Sequence, residues 1–332
     1  MNTRAYLFHG LRLRVSGGNA VLANLHARLA RFPEQTHQGG ADLQFEFHHV
    51  GDASHHTVAR PSGVGRSVLE PGLGELVYFD QPQLLYLEIP GHGRALCDAR
   101  SGRVQVSYPR AAGKDLWLLS HPLFTIPLAE LLKRRGLYML HAAGLAVAGK
   151  GLLVAGQSGA GKTTLALALL RAGFDFLADD TVFLTREGKQ LRILAFPDEV
   201  DVTVDTLEFF PELRPLAQSS KPKGRPKRAF CTTRVYGVAP RWECVPGTIV
   251  FPKPAGLGMS VITPMPKAEA LMQLVCNVLR TDPRSSQAHL DALAGLVRDS
   301  RCFRLQTGCD FDQLPALLRS VMSKPPLPFP EL

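Results

Sequence analysis

His141 to Asp180 reads HAAGLAVAGKGLLVAGQSGAGKTTLALALLRAGFDFLADD. Within it, Gly156-Gln157-Ser158-Gly159-Ala160-Gly161-Lys162-Thr163 fills every fixed position of the G-x-x-x-x-G-K-[ST] phosphate loop. The apolar run Leu152-Leu153-Val154-Ala155 before it predicts a buried strand, and Thr164 to Ala172 predicts a helix that Gly173 stops. A strand that feeds a glycine loop and then a helix N-terminus aims backbone N–H groups and the positive end of the helix dipole at one spot. Lys162 is then placed to reach the β- and γ-phosphates of ATP, with Thr163, followed by Thr164, offering a hydroxyl to Mg²⁺.

Two flanking features carry further chemistry. Phe174 to Ala178 predicts a strand ending in Asp179-Asp180, a carboxylate pair beside the loop that suits one base and one metal ligand. Upstream, Gly144 to Gly149, Lys150-Gly151 and LLVAG predict a β-hairpin leading into the loop. His141 opens that segment and is expected to fold back and orient the Asp179 carboxylate.

These residues resemble the HPr kinase/phosphorylase superfamily: His141, the hairpin, Gly156 to Thr163, and Ala178-Asp179-Asp180. That family is related to ATP-dependent phosphoenolpyruvate carboxykinase, whose loop also ends Gly-Lys-Thr-Thr, as Gly161 to Thr164 does here. More closely, the chain resembles HPr-kinase-like proteins encoded with bacterial peptide-modification clusters, some of which phosphorylate a serine of a ribosomal precursor peptide. The resemblance implies an α/β P-loop kinase core with ATP and Mg²⁺ as cofactors. Asp179 and His141 would act at the acceptor hydroxyl, and Thr163 and Asp180 in the metal shell, with Glu199 or Asp201 as a downstream acidic partner. No I-R-G-type signature follows the aspartates, and Thr164 stands where HPr kinases usually have Glu. These departures weigh against HPr itself as the acceptor and against a reverse phosphorylase reaction.

Composition narrows the setting. The chain has 332 residues, a net charge of +9 and six cysteines without a C-x-x-C spacing, so it reads as a reduced, cytoplasmic protein. Met1 to Val15 lacks a signal-peptide pattern, and Leu137 to Gly156 is too interrupted by glycine, His141 and Lys150 to span a membrane. Part of the positive surplus sits in KPKGRPKR, where Lys223, Arg225, Lys227 and Arg228 form a possible lid over ATP or a lure for an acidic peptide. No aromatic residues interleave with these charges, so nucleic acid is not expected as a partner.

Residues 1–115 show short alternating runs (Tyr6 to Val15, Leu43 to His48, Leu76 to Phe79, Leu84 to Ile89, Val104 to Val106) with one helix, Ala20 to Arg31. They predict a mainly β module that binds substrate or packs on the catalytic half. His48, His49, His55 and His56 read as a surface loop. Residues 116–323 read as the α/β catalytic domain, with helices at Pro127 to Arg135, Pro266 to Arg280, Ser285 to Val297 and Phe311 to Val321. Strands are expected at Leu191 to Phe196, Thr248 to Phe251 and Cys302 to Leu305, and Asp198 to Asp205 is strand-like. Residues 324–332 are a Pro-rich tail. The whole reads as a kinase that moves the γ-phosphoryl group of ATP to a hydroxyl, that of a serine or similar group on a peptide or protein. A small-molecule hydroxyl kinase and a non-catalytic ATP-binding regulator are the alternatives, and a homo-oligomer is left open.

Overall fold

The first strand run of the sequence is two strands. Asn2–Phe8 (β1) and Leu11–Gly17 (β2) pair antiparallel around His9-Gly10, whose φ values of 46° and 84° are those of a tight primed turn. The expected run Tyr6 to Val15 breaks there because His9 adopts the left-handed region that side chains other than glycine seldom take. The structure is a computed structural model. It describes the chain except residues 36–38, 52–57, 64, 71–73, 82, 110–115, 218–227, 257, 277, 279–282 and 324–332.

β1 and β2 open an eight-stranded sheet. Its other strands are Leu43–Val50 (β3), Arg66–Glu70 (β4), Gly74–Gln81 (β5), Leu84–Ile89 (β6), Gly93–Asp98 (β7) and Arg103–Pro109 (β8), in the order β1-β2-β3-β8-β7-β6-β5-β4. β3 runs parallel to both its neighbours, β2 and β8; the other pairings of this sheet are antiparallel. His48 and His49 therefore lie on β3 and not on a loop, while His55 and His56 fall outside the described residues. Helix α1 (Asn19–Leu29) buries Val21, Leu22, Leu25 and Leu29, a stripe at helical spacing.

Leu116–Ser120 (α2) and Pro122–Lys133 (α3) pack with this sheet: Phe124 of α3 meets Phe45 of β3 at 4.8 Å, and buried Arg28 of α1 donates to Thr125 at 2.9 Å. The chain accordingly divides by contacts into Met1–Leu137 with Arg280–Ser286, and Tyr138–Leu279 with Gln287–Leu332, later than the division expected at 115/116. The reason is that α3 is buried along nearly its whole length and covers the first sheet. It also begins at Pro122, so Pro127, read as a helix start, lies inside it.

The second unit starts with the predicted hairpin, Tyr138–Val147 (β9) and Lys150–Ala155 (β10). There follow Lys162–Arg171 (α4), Asp175–Ala178 (β11), Thr181–Glu187 (β12), Gln190–Ala195 (β13), Val200–Val202 (β14), Val204–Phe209 (α5), Arg214–Ala217 (α6), Arg228–Phe230 (β15) and Thr232–Tyr236 (α7). The chain then runs through Glu243–Pro254 (β16), Val261–Pro264 (β17), Lys267–Val275 (α8), Pro283–Asp299 (α9), Arg301–Thr307 (β18) and Leu314–Ser323 (α10). The sheet order is β10-β9-β12-β13-β16-β18-β17, and β10 also pairs parallel with β16. The pairings β10-β9-β12-β13-β16-β10 therefore close a ring. The acidic segment Asp198 to Asp205 is strand only at β14, since Thr203 caps α5 by accepting from the Thr206 amide at 3.3 Å.

Helix α4 is buried at every position from Leu165 to Leu170, more than a one-sided amphipathic helix would be. It is held between β9, β10 and β14 on the strand side and α10. That burial fixes the helix whose N-terminus carries the phosphate loop. No helix among the described residues is long and apolar enough to cross a membrane.

Candidate active site

The strand, loop and helix predicted around Gly156 form as expected, and α4 begins at Lys162, right after the loop. Gly159 and Gly161 have φ of 83° and 86°, and a side chain in either position would be strained. Gln157, Ser158 and Gly159 are exposed, whereas Lys162 is buried and its Nζ donates to the Gly156 and Gln157 carbonyls at 2.9 and 3.3 Å. The ammonium is thus curled inside its own loop, within reach of whatever the loop holds.

The aspartate pair splits into two environments. Asp179 is 5% exposed, and its Oδ2 accepts from the Thr163 hydroxyl at 3.2 Å and from the Asp201 amide at 3.4 Å. Its Oδ1 is buried without a hydrogen-bond partner among the described residues. Burial, reinforced by the charge of Asp180, raises its pKa to about 7 against the pull of the Thr163 and Asp201 hydrogen bonds. Asp180 points outward, with 69% of its side chain exposed, and its Oδ1 lies 3.1 Å from His141 Nδ1. His141 sits inside β9, not at the start of a segment, in register with Thr181. The Ala142 amide donates to the Asp180 carbonyl at 3.1 Å.

The structure therefore brings together Thr163 with Asp179, and His141 with Asp180. The expected partnership of His141 with Asp179 does not form. Asp179 and Asp180 form a bend after β11, which turns the first carboxylate inward and leaves the second outside. Just before the bend, the β11–β9 pairing has an irregularity between Phe176 and Ala178. Glu199 is exposed, and its amide binds Asp198 Oδ1 at 2.8 Å; Asp201 is the acidic residue whose backbone reaches Asp179. The Thr164 hydroxyl lies 3.4 Å from that of Thr206, which is 3.0 Å from that of Thr203. Thr203 and Thr206 were not singled out from sequence; the signal available was the pattern of a cap residue opening α5. Lys223, Arg225 and Lys227 lie outside the described residues, while Arg228 opens β15 in register with Val202.

The donor set fits a small hard cation. A buried carboxylate oxygen with no partner beside a threonine hydroxyl offers oxygen ligands of the kind Mg²⁺ takes together with water and phosphate. Among the described residues no group of three or more His, Cys, Asp or Glu side chains could hold a metal ion.

Residues 136–204, from the start of the hairpin to the start of α5, match the family model of the HPr Serine kinase C-terminal domain. This segment is HPr kinase-like. Among solved structures the chain is similar to the HPr(Ser) kinase/phosphatase from Coxiella burnetii, at 13% identity and a TM-score of 0.30, over 55% of this chain and 92% of that one. No curated protein matches the chain. The HPr kinase-like segment holds His141, the whole phosphate loop, both aspartates, Asp201 and the Thr203 cap.

Proposed function

We propose that the chain is an ATP-dependent kinase transferring the γ-phosphoryl group to a hydroxyl, that of a serine or similar group on a peptide or protein. The observation that carries the reading is the division of the aspartate pair at the mouth of the loop: one carboxylate faces the Thr163 hydroxyl, the other faces outward beside a histidine.

Gly156 to Thr164 would hold the phosphates through backbone amides and the helix end, with Lys162 releasing its two loop carbonyls to meet them. Thr163 and Asp179 would hold Mg²⁺, which supplies charge neutralisation at the phosphates. The geometry favours Asp180 over Asp179 as the general base. An acceptor hydroxyl can approach the exposed carboxylate, whereas Asp179 is enclosed and already bound to Thr163. His141 Nδ1–H, donating to Asp180, would fix the carboxylate's orientation and disperse the proton it gains. The openness of Asp180 supports an acceptor presented on a macromolecule rather than one enclosed in a pocket.

The two carboxylates are separable by experiment. Asp180→Asn should keep MgATP affinity and lose about two to four decades of transfer rate to a serine peptide. Asp179→Asn should instead weaken the Mg²⁺ dependence of nucleotide binding. Calorimetry and phosphopeptide mass readout on both variants decide the matter: full turnover by Asp180→Asn removes it as base. Tight MgATP binding by wild type with no transfer to any hydroxyl favours the regulatory reading.

A further inference from the structure

The hairpin β6–β7 in the first unit borders a cavity of about 210 Å³, smaller than the roughly 300–1,000 Å³ of sites for drug-sized ligands. Val50 and Pro109 give it apolar lining and Glu88 and Arg94 charged lining, all on one face of the sheet, with exposed His92 also lining the cavity. Glu88 is 7% exposed, and its carboxylate is the hub of the charged lining. Oε1 accepts from Arg94 Nε at 3.0 Å; Oε2 accepts from the Tyr86 hydroxyl at 3.1 Å and pairs with Arg60 Nη1 at 3.4 Å.

A buried carboxylate needs one compensating cation. Glu88 has two guanidinium partners and a phenol donor, so the cluster carries one positive charge beyond what Glu88 requires. The bond through Nε also locks the plane of Arg94, leaving Nη1 and Nη2 without a partner among the described residues. A guanidinium held in plane presents two parallel N–H groups, the arrangement that takes a carboxylate in a fork.

We propose that this cavity is a carboxylate-binding site, taking one carboxylate on a short apolar stem: the carboxylate on Arg94, the stem against Val50 and Pro109. Glu88 is the positioning residue that aims the guanidinium. Two sources share this chemistry, a glutamate side chain of a peptide and a free short-chain acid. The site lies in the first unit and stands independently of the kinase reading.

The test uses the full-length protein and three probes in ligand-observed NMR and calorimetry: butyrate, acetyl-Ala-Glu-Ala-amide and acetyl-Ala-Gln-Ala-amide. At least one acidic probe should bind, weaken with salt, and exceed the glutamine peptide by about tenfold or more, as expected for a charge-assisted fork. Binding by the glutamate peptide alone identifies a peptide ligand, and by butyrate alone a free acid. The double variant Glu88→Gln/Arg94→Gln removes the charges at constant size and should abolish the preference. Val50→Trp should fill the cavity, leave the ion cluster intact and block binding even if the double variant fails to fold. Equal binding of acid and amide probes, no binding of either acidic probe, or unchanged binding in Val50→Trp overturns the proposal.

Discussion

A single carboxyl group gives the site a measurable pH signature. Asp179 is enclosed, and burial lifts its pKa from 3.8 to about 7. The folded state therefore holds this proton more tightly than the unfolded chain does, and between those two values folding takes up a proton. Stability should fall as pH rises from about 4 through about 7, by a total on the order of 4 kcal/mol for a shift of this size. Asp179→Asn, unfolded in chelator at pH 8, should be more stable than wild type, with the gap closing towards pH 4. Chemical denaturation at several pH values reads this directly, and parallel curves for the two proteins would mean that Asp179 is hydrated in solution. Lys162→Ala belongs to the same scale. It removes the cation that binds the Gly156 and Gln157 carbonyls and should abolish MgATP affinity in calorimetry.

At the level of elements, what could be read from sequence was what depends on neighbours in the chain. The strand, glycine loop and helix from Lys150 to Arg171 are contiguous in sequence, and their local pattern of apolar run, glycines and helix formers was enough to place them. The roles within Asp179-Asp180 were not legible. The pair lies in a bend after β11, and which carboxylate turns inward is tied to contacts distant in sequence, the Thr163 hydroxyl and the Asp201 amide on Asp179. The run Tyr6 to Val15 hid its turn because a His-Gly pair is a weaker hairpin signal than Asn-Gly or Asp-Gly. The placing of α3 in the first unit depends on contacts such as Phe45 with Phe124, distant in sequence. Helix α4 yields its own prediction. Leu169→Ala, at a position with no exposed surface, should cost about 2–5 kcal/mol in denaturant unfolding and lower nucleotide affinity only at temperatures where the fold is lost. A destabilisation below about 1 kcal/mol would mean that the helix repacks.

Across the whole molecule, two sheets build two separately cored units, and the loop, its lysine and both aspartates fall in the second. MgATP should raise the unfolding free energy of that unit by about 2.7 kcal/mol at a hundredfold excess over the dissociation constant, and its unfolding midpoint with it. Lys162→Ala should erase the shift, and a shift that persists in the variant would locate the nucleotide elsewhere. The ring β10-β9-β12-β13-β16 has a consequence for motion. Within it, β9 is laced from Ala142 to Val147 to β10, and on its other edge from Tyr138 to His141 to β12 and from Gly144 to Ala146 to β11. His141 rides on that strand. In deuterated solvent the amides from Gly144 to Ala146, paired on both edges, should therefore be among the last to exchange, later than the singly paired stretch from Tyr138 to His141, and faster exchange from Gly144 to Ala146 would mean that the ring opens there.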